Sequence, residues 1–183
     1  MKNSMNPIIE KMRRNLRREE SREALAAVAI ILNFKGGEAS ILLVKRSTSV
    51  SDPWSGDMAF PGGKKHSSDK ALRDTVFRET MEETGIDLNN CIFLGMMSDF
   101  ESNIKKRMLV QPFVFLCETQ PDVVLNEELC SFFWIPIKEL EEGRCWANVR
   151  GLEVQGFKVR GEVIWGLTYR MIENLIKIIR ESD

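Results

Sequence analysis

Residues 60–85 read FPGGKKHSSDKALRDTVFRETMEETG, and this stretch decides how the chain folds and what it does. It opens on a glycine pair followed by two lysines, and from about residue 70 to 84 it has the periodicity of a helix. Asp69 suits the N-cap of that helix, and Gly85 suits the left-handed residue that follows a helix C-terminus. The stretch therefore predicts a glycine loop, a helix and a sharp turn.

The predicted helix carries carboxylates where they are unfavourable. One stripe of the helix is apolar at its start and acidic at its end, and it consists of Leu72, Val76, Glu79 and Glu83, with Glu82 to its side. Like charges four residues apart and anions at a helix C-terminus together cost about 1–2 kcal/mol. A divalent cation would turn this repulsion into attraction, and carboxylate oxygens suit Mg²⁺ or Mn²⁺. The alternative is a solvated helix end with ordinary surface glutamates.

The glycine loop favours the metal interpretation. Gly62 and Gly63 have no side chains, so their backbone can come close to a phosphate or expose a carbonyl to a metal. Lys64 and Lys65 add positive charge beside them. A glycine loop next to a carboxylate-rich helix is what metal-assisted attack of water on a phosphoryl group requires.

Composition limits the partners of this protein. The chain has 183 residues, a length typical of one domain, and its 43% hydrophobic and 29% charged residues indicate a folded protein. The net charge of −1 provides no global field for nucleic acid or anionic membranes. The longest wholly apolar run, residues 24–32, is about half of a membrane span. We therefore expect neither a membrane nor a nucleic acid as partner.

Residues 1–23 are predicted to form an N-terminal helical extension. Asn6 and Pro7 suit a helix cap and the first helical position, and Ile8, Ile9, Met12 and Leu16 form an apolar stripe. The extension holds seven basic and four acidic residues. This composition allows either contact with an anionic surface or RNA, or a solvated face with arginine stems over the core.

Cysteine and histidine usage indicates the cellular compartment. Four widely spaced cysteines and a single histidine, His66, do not form a structural zinc motif. Residues 1–23 are charged throughout, without the apolar core of a secretory signal. We therefore expect a cytoplasmic protein with reduced thiols.

The remaining elements predict a layered α/β fold. Strand-like runs cover 25–32, 39–45, 92–98, 108–117, 131–135, 152–159 and 161–165, and a second helix covers 168–180. The inward face of that helix, which includes Met171, is interpreted as core without chemistry. The order of strands and helices favours a mixed sheet between helices, in one domain over residues 1–183.

The same residues resemble the Nudix hydrolases. Residues 78–86, RETMEETGI, match the second half of the Nudix box, which reads Arg-Glu, an aliphatic residue, any residue, Glu-Glu, any residue, Gly and an aliphatic residue, except that Thr80 takes the place of the first aliphatic residue. In the first half, Gly63 is followed after five residues by Asp69 where the box has Glu. The resemblance implies an α/β/α sandwich around a mixed β-sheet and a diphosphate hydrolase that uses Mg²⁺ or Mn²⁺.

The resemblance also implies roles for individual residues. Glu79 and Glu83 would ligate the metal directly, with Glu82 as a further or water-bridged ligand and the Gly62 carbonyl as a backbone ligand. Arg78 would orient these carboxylates, although an ordinary helix pair between Asp74 and Arg78 explains it equally well.

Within the family, residues 42–47 and 60–63 resemble the upstream signature of the coenzyme A diphosphatase subgroup. The implied substrate is a nucleoside diphosphate derivative, with coenzyme A or its thioesters as the specific candidate. The substrate-binding candidates are Arg46, Gly62, Gly63, Lys64 and Lys65. The alternative function is an inactive Nudix-like module that binds nucleotide or RNA, and the oligomeric state is open, a homodimer being one alternative.

Three further side chains have two interpretations each. Trp54 would either stack on a base or anchor its loop. A glutamate downstream of the box, Glu127 or Glu128, would act as a base or an extra ligand in this family, or lie in solvent. His66 is interpreted as a solvated loop residue rather than a catalytic one.

Overall fold

The computed structural model describes residues 7–48, 55–102 and 108–180. Its helices are α1 (Pro7–Asn15), α2 (Leu72–Thr84), α3 (Ile137–Glu142) and α4 (Gly166–Arg180), with a 3₁₀ turn at Leu88–Asn90. Its strands are β1 (Ala26–Lys35), β2 (Glu38–Arg46), β3 (Met58–Ala59), β4 (Gly62–Lys64), β5 (Ile92–Met96), β6 (Phe100–Glu101), β7 (Leu109–Cys117), β8 (Leu129–Pro136), β9 (Arg144–Val149), β10 (Leu152–Val159) and β11 (Glu162–Trp165).

The strands form a large mixed sheet and a small antiparallel one. The large sheet has the order β3-β2-β1-β7-β5, with β4 paired to β1, β6 to β7 and β8 to β2. β1 and β7 run parallel and the other pairs run antiparallel. The small sheet has the order β11-β10-β9. The predicted mixed α/β fold is confirmed.

Helices cover both faces of the large sheet because its central strand is apolar on both sides. Ile30 and Leu32 of β1 pack in one core cluster with residues of α1 and α4. Ala27 and Ile31 pack in a second cluster with residues of α2. Two layers of helix therefore enclose the sheet, as the sequence predicts.

The sheet divides between β1 and β2. These strands pair only where Leu32–Lys35 meets Glu38–Ile41. The first half of β1 pairs instead with β4, and the end of β2 pairs with β3. β8 pairs with β2 from Ser40 to Arg46. The short segment that links β3 to β4 therefore lines an opening in the sheet.

Five elements are not predicted by the sequence: α3, β3, β4, β6 and β9. β3, β4 and β6 have only two or three residues each, too few for a periodic pattern. The β9 residues alternate between exposed and partly buried, but the exposed side includes the apolar Trp146, so the sequence does not alternate cleanly between polar and apolar residues. It pairs with the next strand, β10, in a hairpin with a two-residue turn.

The N-terminal extension packs against the domain. α1 begins at Pro7, as predicted, while Asn6 lies outside the described residues. Met12 and Leu16 are buried in the same cluster as α4. Arg18 Nη1 donates to the Leu94 carbonyl, and the Ser21 amide donates to Gln111 Oε1. These contacts agree with arginine stems lying over the core.

Two of the cysteines form a disulfide. Cys91 directly precedes β5 and Cys117 ends β7, and the pairing of Ile92 with Leu116 places the cysteines opposite each other, 4.5 Å apart at Cα. The expectation of reduced thiols is wrong for this pair, because the strand register unites residues that are 26 positions apart in sequence. Cys130 and Cys145 are free.

The described part of the chain contains no helix of the length and hydropathy that a membrane span requires.

Candidate active site

A cavity of about 480 Å³ is bordered by the opening in the sheet. Its wall includes the start of β1, the end of β2, all of β4, two carboxylates from α2 and the first turns of α4. Its lining includes the carboxylates of Glu79, Glu83 and Glu128, and apolar side chains of β3, β7 and α4; we call these two sets the acidic half and the apolar half. The sequence motif of residues 60–85 contributes to the acidic half.

A Cβ would collide at both positions of the Gly62-Gly63 pair, with backbone at the first and with a side chain at the second. Gly62 has φ +145°, and a Cβ there would lie 2.3 Å from the Ala27 carbonyl oxygen. A Cβ on Gly63 would lie 2.7–2.8 Å from the carboxylate atoms of Glu79. The backbone at Gly62 therefore packs closely on β1, and Gly63 leaves room for a carboxylate.

The peptide groups of Gly62 point away from β1. The neighbouring ladder bonds run from Ala29 N–H to the Pro61 carbonyl and from Lys65 N–H to the Leu25 carbonyl. In an antiparallel ladder the intervening position directs its N–H and C=O to the opposite side. The Gly62 N–H donates there to Glu83 Oε2 at 2.8 Å, and the Gly62 carbonyl is directed to the same side.

Glu83 is a buried carboxylate at the end of α2, with only 4% of its surface exposed. Burial raises its pKa to about 7. The Gly62 N–H and the Arg46 charge act in the opposite direction, whereas the negative charges of Glu79 and Glu128 add to the increase. Glu83 therefore sits in a strongly negative, poorly hydrated position.

Arg78 links the acidic side chains around it. Its Nε and Nη2 donate to the two oxygens of Asp69, at 3.2 and 2.8 Å, and its Nη1 donates to Glu79 Oε1 at 2.8 Å and Glu82 Oε2 at 3.3 Å. The Arg78 guanidinium holds the pKa of Asp69 well below its ordinary range. The bonds to Glu79 and Glu82 agree with an orienting function for Arg78.

One expectation and one alternative for α2 are wrong. The N-cap is Ala71, not Asp69, because Asp69 lies before the helix and accepts hydrogen bonds from Arg78, Thr75 and the His66 amide. Asp74 does not pair with Arg78, because its Oδ2 accepts from the amides of Lys70 and Ala71. At the other end, Gly85 is left-handed as predicted and donates to the Met81 carbonyl.

The three box glutamates do not occupy equivalent positions. Glu79 and Glu83 line the cavity. Glu82 does not, and 56% of its side chain is exposed beside Arg78. This agrees with the predicted stripe, which places Glu82 to one side of the other two.

Within the described ranges, no three acidic, histidine or cysteine side chains are arranged to hold a metal. Each box glutamate instead accepts a hydrogen bond from Arg78 or Gly62. The chemistry of the donors nevertheless fits a hard divalent cation. The carboxylates of Glu79, Glu83 and Glu128 border one cavity together with Gly62, and a cation would relieve the negative potential that raises the pKa of Glu83.

The predicted substrate-binding residues divide between the cavity and its surroundings. Arg46, Gly62, Gly63 and Lys64 line the cavity. Lys65 does not line it, because its Nζ donates to the Lys70 carbonyl at 3.1 Å. His66 is exposed, its Nδ1 is 2.8 Å from Ser68 Oγ, and it lies outside the cavity wall. Trp54 is outside the described residues.

Glu128 is brought to the site by the preceding residues 124–126, which are hydrogen-bonded to the end of α2. The Asn126 amide donates to the Glu83 carbonyl at 3.2 Å, and the Val124 amide donates to the Thr84 carbonyl at 2.9 Å. These bonds fasten residues 124–126 to the end of α2. Glu128 then lines the cavity, whereas its neighbour Glu127 does not.

Sequence reasoning missed the β11–α4 corner of the cavity. Trp165, Thr168 and Met171 form part of the wall there. Met171 was expected to be core only, and it is both buried and part of the cavity. The signal in the sequence was weak because these residues come from a strand end and an ordinary amphipathic helix.

Comparison with known proteins agrees with this geometry. A family profile described as the NUDIX domain matches residues 22–152. The uncharacterised protein C14C4.10c of Schizosaccharomyces pombe is 32% identical, over 68% of this chain and 45% of that protein. The uncharacterised Nudix hydrolase NudL of Yersinia enterocolitica is 31% identical, over 75% of this chain and 73% of the relative. The match to this chain thus spans less than half the length of the yeast relative.

Solved structures share the fold. The NUDIX domain of Shewanella oneidensis NrtR, solved with ADP ribose, has a TM-score of 0.55 to this chain at 14% identity, covering 86% of this chain and 88% of that one. The matches confirm the family resemblance drawn from residues 78–86. Membership of the coenzyme A diphosphatase subgroup stays a prediction.

Proposed function

The chain belongs to the Nudix hydrolase family, and from this premise we propose that it hydrolyses the diphosphate linkage of a nucleoside diphosphate derivative with the help of Mg²⁺ or Mn²⁺. As a member of that family it is an enzyme, and the comparisons give no support to the alternative of an inactive binding module. The main support for the proposed reaction is that three carboxylates and a glycine pair line one cavity: Glu79, Glu83, Glu128, Gly62 and Gly63.

The residues that would hold the cation are Glu79, Glu83 and the Gly62 carbonyl, with Glu82 acting through the Arg78 network or through water. When bound, the cation supplies Lewis-acid stabilisation of the negative charge that develops on the phosphoryl oxygens. Arg78 keeps Glu79 in position by the 2.8 Å bond between Nη1 and Oε1. A fixed guanidinium fork suits this function.

The remaining polar residues of the acidic half bind and orient the substrate. Arg46 and Lys64 line the cavity and supply positive charge for the diphosphate. We assign to Glu128 the acceptance of a proton from the attacking water. The water oxygen forms a bond to one phosphorus, the bridging P–O bond breaks, and the bridging oxygen leaves with the other phosphate.

The substrate class receives support from one of the structural relatives. The NrtR domain was solved with ADP ribose, which is a nucleoside diphosphate derivative. The fold is shared at 14% identity only, so the support concerns the class of ligand and not its identity.

The test is hydrolysis of coenzyme A, ADP-ribose and a dinucleoside polyphosphate in ¹⁸O-water, with mass identification of both products. Release of two phosphate-terminated products, one of them labelled, is expected with Mg²⁺ or Mn²⁺. Glu83→Gln should abolish turnover while the protein stays folded. Absence of turnover with every substrate and both cations would overturn the proposal.

Neighbouring glutamates provide a matched control. Glu128→Gln should lower kcat by about 10²–10⁴-fold, because it removes the proposed proton acceptor from the cavity. Glu127→Gln removes the same charge one position earlier, outside the cavity wall, and should leave kcat within about twofold. Equal effects of both variants would exclude Glu128 from the mechanism.

Within this class, we infer that coenzyme A and its thioesters are the specific substrates. The support is the signature at residues 42–47 and 60–63, together with the cavity positions of Arg46 and Lys64. Coenzyme A carries an extra 3′-phosphate, so dephospho-coenzyme A should be hydrolysed less efficiently. Arg46→Ala or Lys64→Ala should reduce the difference in hydrolysis efficiency between coenzyme A and dephospho-coenzyme A, whereas Lys65→Ala should leave it unchanged. Equal rates for coenzyme A, dephospho-coenzyme A and ADP-ribose would exclude specificity for coenzyme A and leave only the hydrolysis of nucleoside diphosphate derivatives in general.

A further inference from the structure

The second half of the cavity is a chamber built from apolar side chains. It is formed by β3, β7 and the start of α4, and its wall includes Met58, Met108, Val110, Leu167 and Met171. Met58, Val110 and Met171 are buried, and Met108 and Leu167 are partly buried. The chamber is continuous with the acidic half, because both line one cavity.

Three polar side chains at the chamber, Asp57, Trp165 and Thr168, are already engaged by the protein. Thr168 Oγ1 donates to the Met58 carbonyl at 3.0 Å. Asp57 Oδ1 accepts from Trp165 Nε1 at 3.1 Å and from Arg150 Nη2 at 3.0 Å. A nucleobase or sugar buried here would compete with these bonds for its own hydrogen-bond partners. The chamber therefore favours an apolar ligand over a nucleoside.

Three methionines make the chamber adaptable. Methionine side chains are unbranched and flexible, so they fit chains of different shape with little strain. Met58 of β3, Met108 just before β7 and Met171 of α4 line the same cavity. A surface of this kind suits a flexible hydrocarbon chain.

We propose that the methionine-lined chamber binds a hydrocarbon arm attached to one phosphate of the substrate, while the acidic half holds the diphosphate. This inference rests on the proposed diphosphate hydrolysis and narrows its substrate class. The preferred substrates are then diphosphates with a nucleoside on one side and an arm that carries an apolar chain on the other, which among the coenzyme A compounds favours the thioesters of apolar acids over free coenzyme A. Cleavage releases a nucleoside monophosphate and the phosphorylated arm.

The test uses P²-alkyl esters of ADP with methyl, butyl, hexyl and octyl chains. Each buried methylene contributes up to about fourfold in binding, so kcat/KM should rise by about two- to fourfold per methylene until the chamber is filled. A constant or falling kcat/KM along the series would overturn the proposal.

A second measurement does not depend on hydrolysis. Alkylphosphonates contain no diphosphate bond, and calorimetry gives their Kd in Mg²⁺ buffer for methyl to octyl chains. The Kd should fall with chain length by a similar factor per methylene. If this dependence is present but no diphosphate is cleaved, the chamber assignment holds and the proposed hydrolysis fails. If the Kd is independent of chain length, the chamber assignment fails whatever the activity.

Isosteric polar variants localise the effect. Met171→Gln and the less buried Met108→Gln should each lower the octyl-to-methyl ratio of kcat/KM by about five- to tenfold. Met97→Gln is the control, because Met97 is as buried as Met171, at 2% exposure, but does not line the cavity. Met97→Gln should keep the octyl-to-methyl ratio of the unmodified protein. Equal ratios in Met108→Gln, Met171→Gln and the unmodified protein would contradict the proposal.

Discussion

At the scale of single residues, the site depends on where α2 places each carboxylate. Glu79 and Glu83 lie on the stripe that faces the cavity, and Glu82 lies on the exposed side beside Arg78. The buried position of Glu83 is the unusual one, because a charged carboxylate there lacks hydration.

The pKa of Glu83 predicts how stability depends on pH without metal. Because the folded protein raises this pKa from 4.5 to about 7, it binds more protons than the unfolded chain within that window. The contribution of Glu83 to the free energy of unfolding should therefore fall as pH rises from about 4.5 to 7, by roughly 3 kcal/mol at most. Denaturant unfolding in EDTA across pH 4.5–8 measures it.

Glu83→Gln is the variant that isolates this effect. It should be more stable than the unmodified protein above pH 7 and should lose the pH-dependent component. Glu82→Gln, at an exposed position, serves as control and should keep that component. A stability difference between Glu83→Gln and the unmodified protein that is the same at pH 5 and pH 8 would contradict the burial argument.

The glycine pair gives a second prediction: alanine at position 63 should mainly lower activity, and alanine at position 62 should mainly lower stability. Gly63→Ala places a Cβ against the movable carboxylate of Glu79, so it should cost less than about 1 kcal/mol of stability but most of the activity. Gly62→Ala places a Cβ against backbone of β1 at φ +145°, so it should cost more than about 2 kcal/mol. Urea unfolding and turnover of the two variants, measured together, check this difference. A fully active Gly63→Ala variant would be inconsistent with the position of Glu79.

At the scale of elements, α2 is held at both ends by other parts of the chain. Its first amides, of Leu72 and Arg73, donate to the Glu20 carboxylate at 2.8 and 3.3 Å. Its last carbonyls accept from the amides of Val124 and Asn126. The N-terminal extension thus contributes the cap that the sequence assigned to Asp69.

Removing this cap should loosen the start of α2. Glu20→Ala should cost about 1 kcal/mol, because it removes hydrogen bonds to two free helix amides and a favourable charge at the N-terminus. Faster hydrogen exchange of the amides of residues 72–75 is the measurement. Glu19→Ala is the matched control, at an exposed neighbouring position, and should leave exchange unchanged. Unchanged exchange in Glu20→Ala would show that Glu20 does not cap α2.

At the scale of the whole molecule, the opening in the sheet joins elements from opposite faces. α2 packs on one face and α4 on the other, yet both line the same cavity. Ligands that bind there should therefore stabilise the folded protein as a whole.

Divalent metal should raise the free energy of unfolding in proportion to the logarithm of its concentration above the Kd, by about 2.7 kcal/mol at 100 times the Kd. The reason is that the folded site gathers carboxylates that the unfolded chain separates. Thermal melts with Mg²⁺ or Mn²⁺ against EDTA measure this response. Glu79→Ala should lose most of it, and Glu127→Ala should keep it. A melting temperature that is independent of metal in the unmodified protein would favour the alternative that the box glutamates are ordinary surface residues and bind no metal.

The sequence by itself determined the mixed α/β class, the α2 stripe and the family, because these depend on local periodicity and on a motif contiguous over residues 78–86. Tertiary structure decided which residues share the cavity. Glu128 and Met171 reach it from distant segments, Lys65 is turned away by its bond to Lys70, and Cys91 meets Cys117 only through strand register. The physical reason is that hydrogen bonds and packing between remote elements set these positions, and a short sequence window contains only one partner of each contact.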